Sequence, residues 1–210
     1  MKFFNYFDKA YCINLEKRND RLVNFIAQVK TFDLGEFERI VAIDGQNIYP
    51  KDYKSKLLSG EIGLALSVKN ILENAIMNNY DSILILEDDC IFTNEIKIIH
   101  EYFKLLPNDW DMVYFGGNHN THAGHIPPAK MNDKVCKLHH TYSSHCIGIK
   151  SNIYKNILNL LKPLNNPIDV VYTKIQKIFN VYSFYPAIAK QYLNYSDILH
   201  KEIDYNKYIK

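Results

Sequence analysis

The spacing of apolar positions changes repeatedly along the chain, and each change predicts an element. KAYCINL (9–15) is a short continuous apolar run. After the polar stretch EKRND, Leu22, Phe25, Ile26 and Val29 recur at helical spacing, so strand, loop and helix are expected in turn. FERIVAI (37–43) is rich in β-branched residues and is stopped by Asp44-Gly45, a turn pair, which predicts a second strand. From Glu61 to Asn79 the apolar positions Ile62, Ala65, Leu66, Leu72 and Ile76, with Leu64, Val68, Ile71 and Ala75 beside them, make a face wide enough for a well-buried helix. SILILE (82–87) is a continuous apolar strand of the kind a sheet covered on both faces requires. A polar helix ending near LLP, a strand in WDMVYFGG and a loop of His, Asn and Gly follow. CKLHH and SSHCIGI read as shorter strands, and SNIYKNILNLL as a helix stopped by Pro163. PIDVVYTKIQKIF reads as another helix, and VYSFYP as a late edge strand closed by Pro186. Strands alternating with helices predict an α/β fold with a mostly parallel sheet, and no repeat or linker divides residues 1–210 into more than one domain.

Composition narrows the function classes. The 210 residues are 47% hydrophobic, enough for one sizeable core, and 25 basic against 23 acidic residues leave a net charge of +2. That balance supplies no field for holding nucleic acid, so small ligands come first. No apolar run approaches the roughly 20 residues of a membrane span, and MKFFNYFDKAYCINL lacks the pattern of a secretory leader. The expectation is a soluble, cytoplasmic chain for which peripheral contact with a membrane stays open. Cys12, Cys90, Cys136 and Cys146 are scattered through expected strands and read as buried reduced thiols.

The chemistry concentrates where SILILE runs into Glu87, Asp88 and Asp89. In an open α/β sheet ligands bind outside the carboxyl ends of the strands, and adjacent carboxylates that stay ionised there need a cation. On an extended chain Glu87 and Asp89 would share one side, a pair suited to Mn²⁺ or Mg²⁺, whereas Zn²⁺ would want His or Cys at tetrahedral spacing. A solvated cluster at a helix start is the plainer reading. The acidic pocket of receiver domains is a poor match, because its acids follow the first strand and here they come after some eighty residues.

The acids have companions. INLEKRNDR (13–21), AIDG (42–45), SGEIGLALS (59–67), LILEDD (84–89), WDMVYFGG (110–117), PID (167–169), and YPAIAKQ followed by SDI (185–198) occur in an order that resembles the glycosyltransferase 25 family over nearly the whole chain. That family contains lipooligosaccharide and collagen galactosyltransferases. The resemblance implies a GT-A type nucleotide-sugar-binding fold, with a central mostly parallel sheet flanked by helices, and inverting transfer of galactose or glucose from a UDP-sugar with Mn²⁺ or Mg²⁺. It implies a nucleotide-sugar and metal half at 1–117 and an acceptor half at 118–210. Glu87 and Asp89 stand in its metal motif. Asn14, Arg18, Arg21, Asp44, Glu61, Gly63, Ser67 and Asp88 stand in its donor pocket. Where the family often carries Cys and His after the second Gly of SGEIG, this chain has Leu64 and Val68.

Physical roles follow from residue type. Arg18 and Arg21 follow a strand end, where guanidinium forks suit phosphate or a uracil carbonyl. Gly60 and Gly63 frame a helix start whose free N–H groups would face an anion. His200, after Ser196-Asp197-Ile198, is the candidate further metal ligand. Asp169 at a helix start is the candidate base, or simply a helix cap. Gly117, Asn118, Ser196 and Asp197 are candidate acceptor contacts. The clusters His119/His122/His125 and Cys136/His139/His140/His145/Cys146 fit no common zinc spacing and read as acceptor contacts or packing. The expected partners are a UDP-sugar and a lipid-linked or protein-linked glycan acceptor, and the sequence leaves oligomeric state open. From another class, a non-catalytic UDP-sugar or glycan binding module on the same fold is the alternative.

Overall fold

A computed structural model describes residues 1–48, 56–119, 126–192, 194–196, 198 and 201–203. The chain opens with a 3-10 turn, Phe3–Tyr6, then β1 (Lys9–Asn14), α1 (Asn19–Thr31) and β2 (Glu38–Val41). A second 3-10 turn, Gly45–Asn47, precedes α2 (Ser59–Met77), β3 (Ser82–Glu87) and β4 (Cys90–Phe92). A 3-10 stretch Asn94–Ile98 runs into α3 (Ile99–Leu105), and β5 (Met112–Tyr114) follows. Beyond it come β6 (Ala129–Lys130), β7 (Val135–Lys137), β8 (Cys146–Lys150), α4 (Tyr154–Leu161) and α5 (Ile168–Ile175). The described chain ends with β9 (Val181–Phe184), β10 (Ala189–Gln191), β11 (Asn194–Ser196) and β12 (Lys201–Ile203).

Eight strands form one sheet in the order β2-β1-β3-β8-β5-β9-β7-β6, while β4 pairs with β10 and β11 with β12. The pairings set β1, β2, β3, β5, β6 and β9 in one direction and β7 and β8 in the other, so the sheet is α/β and mostly parallel as expected. Strand alternation then divides the core into two faces. Tyr11, Ile13, Ile83 and Ile85 join residues of α2, α4 and α5. Ala10, Cys12, Leu84 and Leu86 turn the other way, toward α1, α3 and an aromatic group that includes Phe3, Phe7 and Phe115. Burial on both faces is why SILILE has no polar alternation.

The structure corrects one expectation: β9 is not an edge strand. Its four residues are buried, between parallel β5 and antiparallel β7. Pro186 lies past the last ladder pair, so its missing N–H costs the sheet nothing, and the β6–β7 hairpin covers the side that sequence alone leaves open. β8, from the second half of the chain, lies between β3 and β5. Among the described residues no helix is long and apolar enough to cross a membrane.

Candidate functional site

The parallel pairing of β1 with β2 and β3 brings the ends of three strands to one edge, with Ile13 opposite Glu87 and Asn14 opposite Val41. Asp88 and Asp89 form a tight turn from β3 into β4 instead of continuing an extended run. Main-chain bonds pin this turn from three sides. Glu87 N–H donates to His145 O (3.0 Å), Asp88 N–H to Ile13 O (3.2 Å), and Tyr192 N–H to Asp89 O (2.9 Å). Glu87, Asp88 and Asp89 all line a cleft of about 140 Å³. Across it stand Lys17, Asp44, Gly45 and Gln46, with Ile13, Ala42 and Leu64 forming an apolar section. A second cavity, of about 270 Å³, shares Arg21, Asp88, Asp89 and Tyr192 with the first.

The three carboxylates have different environments. Asp88 accepts from Asn14 Nδ2 at 2.7 Å and is ion-paired with Arg21 Nη1 at 3.2 Å. The side chains of that pair are only 10% and 9% exposed, which makes it a buried bridge whose charges depend on each other. Burial pushes the Asp88 carboxyl up to about 6, with Asp89 adding to the shift and Arg21 opposing it. Glu87 accepts a hydrogen bond from Ser144 Oγ at 2.6 Å. Burial and then the Asp89 charge raise its pKa, and Asp169 contributes further. Asp89 is also raised by burial; Gln191 Nε2 donates to its Oδ2 at 3.4 Å, while its Oδ1 is buried without a hydrogen-bond partner. Such an orphaned acceptor is a costly feature unless a ligand or cation meets it.

A hard divalent ion commonly takes one or two carboxylates and completes its shell with water and phosphate oxygens. Glu87 and Asp89 fit that half-site, and Asp89 Oδ1 is the oxygen in need of a partner. Among the described residues no group of three or more His, Cys, Asp or Glu converges into a metal-holding set. His200 and Asp197 lie outside the described residues, as do His122 and His125.

The remaining candidates divide between lining the cleft and shaping it. Asn14 is 1% exposed and its amide is fully engaged, donating to Asp88 and to Arg18 O (2.9 Å) and accepting from Arg39 Nε (3.0 Å). Arg18 forks onto Asp20 (3.0 and 2.9 Å). Asp44 lines the cleft, pairs with Lys17 at 2.9 Å, and accepts from Gln46 N–H to cap the 3-10 turn. The Lys17 ammonium beside it lowers its pKa. Glu61 caps α2 by accepting from Leu58 N–H at 2.8 Å. Ser67 Oγ accepts from Ile43 N–H (2.9 Å) and donates to Gly63 O (2.7 Å), tying the cleft floor to α2. Gly63 permits that contact, since a Cβ there would lie 2.2 Å from Ile43 O.

Asp169 sits in the first turn of α5, after the capping Pro167, and accepts from Val170 N–H at 2.7 Å. Burial raises its pKa and Glu61 adds to the rise. Its charge adds to the rise at Glu87, but Asp169 is not among the residues lining either cavity. Gly117 presses against Thr141, where a Cβ would stand 2.5 Å from Cγ2. Asn118 exchanges backbone bonds with Tyr142 (3.0 and 3.1 Å), and its side-chain Oδ1 is buried with no partner. Ser196 ends β11. His119 Nδ1 meets Thr141 Oγ1 (2.9 Å) and His140 Nε2 meets Tyr142 Oη (2.8 Å), while the four cysteines are free and buried. Sequence reasoning missed Ser144 and Gln191 as neighbours of the acids, and Arg39 as the partner of Asn14. Gln191 closes the YPAIAKQ motif and was within reach; Ser144 had no such signal.

Residues 7–205 match the model of glycosyltransferase family 25, described as LPS biosynthesis protein, and the chain belongs to that family. It is 27% identical to human procollagen galactosyltransferase 2 over 132 residues, 52% of this chain and 21% of the relative. To a glycosyltransferase 25 family member of Anopheles gambiae it is 30% identical over 129 residues, 50% of this chain and 21% of the relative. The matched part thus amounts to about a fifth of either relative. Among solved structures, a glycosyltransferase involved in glycosylation of the major capsid of PBCV-1 aligns with TM-score 0.43 at 10% identity, over 73% of this chain and 66% of that one. A197 from STIV aligns with TM-score 0.47 at 14% identity, over 88% and 85%.

Proposed function

We propose that this chain is the transferase domain of a metal-dependent, inverting hexosyltransferase using a UDP-sugar. The observation that carries the reading is the acidic turn: Glu87, Asp88 and Asp89 line one cleft wall, and Asp89 Oδ1 is buried there without a partner. Family membership supports a sugar nucleotide as the ligand. The human relative's name supports galactose as the sugar, with glucose the alternative. A lipid-linked glycan and a protein hydroxyl are the two acceptor classes that the family description and that name suggest.

In this reading the nucleotide occupies the 1–117 half and the acceptor approaches from 118–210. Lys17 and Arg21 line the cleft and bring positive charge to the diphosphate, while Asp44 and the Gly45–Gln46 backbone face the nucleoside. A Mn²⁺ or Mg²⁺ ion held by Glu87 and Asp89, with His200 as candidate third ligand, would neutralise charge growing on the leaving diphosphate. Asp169 takes the proton of the attacking hydroxyl as the new carbon–oxygen bond forms. The bond from the anomeric carbon to the phosphate oxygen breaks, and its electron pair leaves with UDP. Burial raises the basicity of Asp169, which suits it to that proton. Gly117, Asn118, Ser196 and Asp197 complete the acceptor side.

The test is the thermal midpoint with UDP, with Mn²⁺ and with both, on the wild type and on Glu87→Ala/Asp89→Ala. Ligand at a hundredfold excess over its dissociation constant adds about 2.7 kcal/mol, a readable shift. A rise that needs both ligands and disappears in the double variant is expected. No rise in any combination removes the nucleotide-sugar assignment. A rise without transfer to any glycan or protein hydroxyl points to the non-catalytic binding module.

A further inference from the structure

We infer that Ser144 is a positioning residue for Glu87, held in place by a strained corner at residues 143–145; the inference rests on the nucleotide-sugar reading above. Three separate observations meet at this corner. Ser144 Oγ donates to Glu87 Oε1 at 2.6 Å, in the range of a charge-assisted bond. Ser143 has φ +99°, a backbone region that side-chain-bearing residues rarely occupy and that persists only where surroundings enforce it. His145 is fully buried and both ring nitrogens are engaged, Nδ1 with Ser143 Oγ at 2.6 Å and Nε2 with Ala189 O at 3.2 Å.

The hydrogen-bond roles follow from the partners. A carbonyl oxygen only accepts, so Nε2 carries the proton toward Ala189, and Nδ1 of the neutral ring accepts from the Ser143 hydroxyl. His145 therefore anchors the corner to β10, whose next-but-one residue, Gln191, reaches Asp89. His145 also accepts the Glu87 N–H on its own carbonyl, fixing the backbone of Glu87 while Ser144 fixes its carboxylate. A hydroxyl that merely satisfied a buried acid would not require a left-handed serine and a buried imidazole to aim it. Orienting a ligating carboxylate is what such partners do, and losing one typically costs 10–100-fold in metal affinity or activity.

The experiment compares wild type, Ser144→Ala and Ser144→Thr by calorimetry of UDP binding with and without Mn²⁺, alongside the unliganded thermal midpoint. Expected for Ser144→Ala is a ~10–100-fold loss of UDP affinity in the presence of Mn²⁺, with metal-free UDP affinity unchanged and the midpoint lowered only as far as one lost buried hydrogen bond accounts for. Ser144→Thr, which keeps the hydroxyl, should restore affinity to within about threefold of wild type. Any other pattern overturns the inference: alanine binding as wild type does, affinity lost equally with and without Mn²⁺, or threonine failing to restore it. A wild-type chain that binds no UDP with Mn²⁺ overturns the nucleotide-sugar reading as well, so the two failures are told apart.

Discussion

Side by side in the chain, Asp88 and Asp89 should respond to mutation in opposite ways. Asp88 neutralises a buried arginine and receives the Asn14 amide, whereas Asp89 adds a repelling charge to Glu87 and has one oxygen unpartnered. Removing one partner of a buried pair typically costs 3–5 kcal/mol, so Asp88→Ala should lower unfolding free energy in urea by about 3 kcal/mol. Asp89→Asn keeps the volume and relieves the repulsion. It should leave unliganded stability equal or higher while abolishing the response to UDP and Mn²⁺, and a loss comparable to that of Asp88→Ala would contradict the assigned roles. Asp169→Asn belongs to the same scale: transfer should fall by at least about 100-fold with UDP affinity unchanged. Wild-type turnover in that variant would remove Asp169 as the base.

Between elements, the cleft depends on how closely α2 approaches the end of β2. Ser67 receives the Ile43 N–H, Gly63 leaves room for the Ile43 carbonyl, and Gly45 sits against Ser59. Gly63→Ala would put a methyl 2.2 Å from that carbonyl oxygen, a clash with backbone that no rotamer relieves. Overpacking of this kind costs about 1–3 kcal/mol, and the displaced floor should weaken UDP binding together with stability. Denaturant titration and calorimetry on the one variant check both. If stability falls while UDP affinity holds, the 42–46 segment is not part of the donor pocket. The family resemblance put Gly63 and Ser67 in the donor pocket; in the structure both pack against Ile43, which lines the cleft, a placement legible only once α2 and β2 are packed.

Across the whole molecule, buried tyrosines set the alkaline limit. Burial pushes the phenols of Tyr11, Tyr102 and Tyr182 up to about 12, and those of Tyr114, Tyr154 and Tyr172 are raised as well. Above the ordinary value near 10 the unfolded chain releases these protons while the folded chain retains them. The unfolded state then binds fewer protons, so stability is fully present below pH 10 and falls as pH rises toward 12. Denaturant midpoints measured from pH 8 to 11.5 should decline over that window, with phenolate absorbance rising cooperatively at unfolding. Smooth ionisation of all 16 tyrosines in a folded chain would contradict the burial.

The sequence by itself determined the α/β alternation, the buried character of SILILE, the acidic turn that follows it and the family, because these rest on local periodicity and on an ordered set of short motifs. β1, β3, α1 and α2 fell where apolar spacing predicted them, to within a residue or two at most ends. Only the tertiary structure decided which acid is ion-paired and which keeps a buried oxygen without a partner. Arg21, Asn14, Ser144 and Gln191 come to the turn from four separate segments, and no local pattern encodes contacts 57 to 102 residues apart. The same reason made β9 look like an edge: its neighbours β5 and β7 are supplied by the fold, and a proline just past its end is harmless once they are in place.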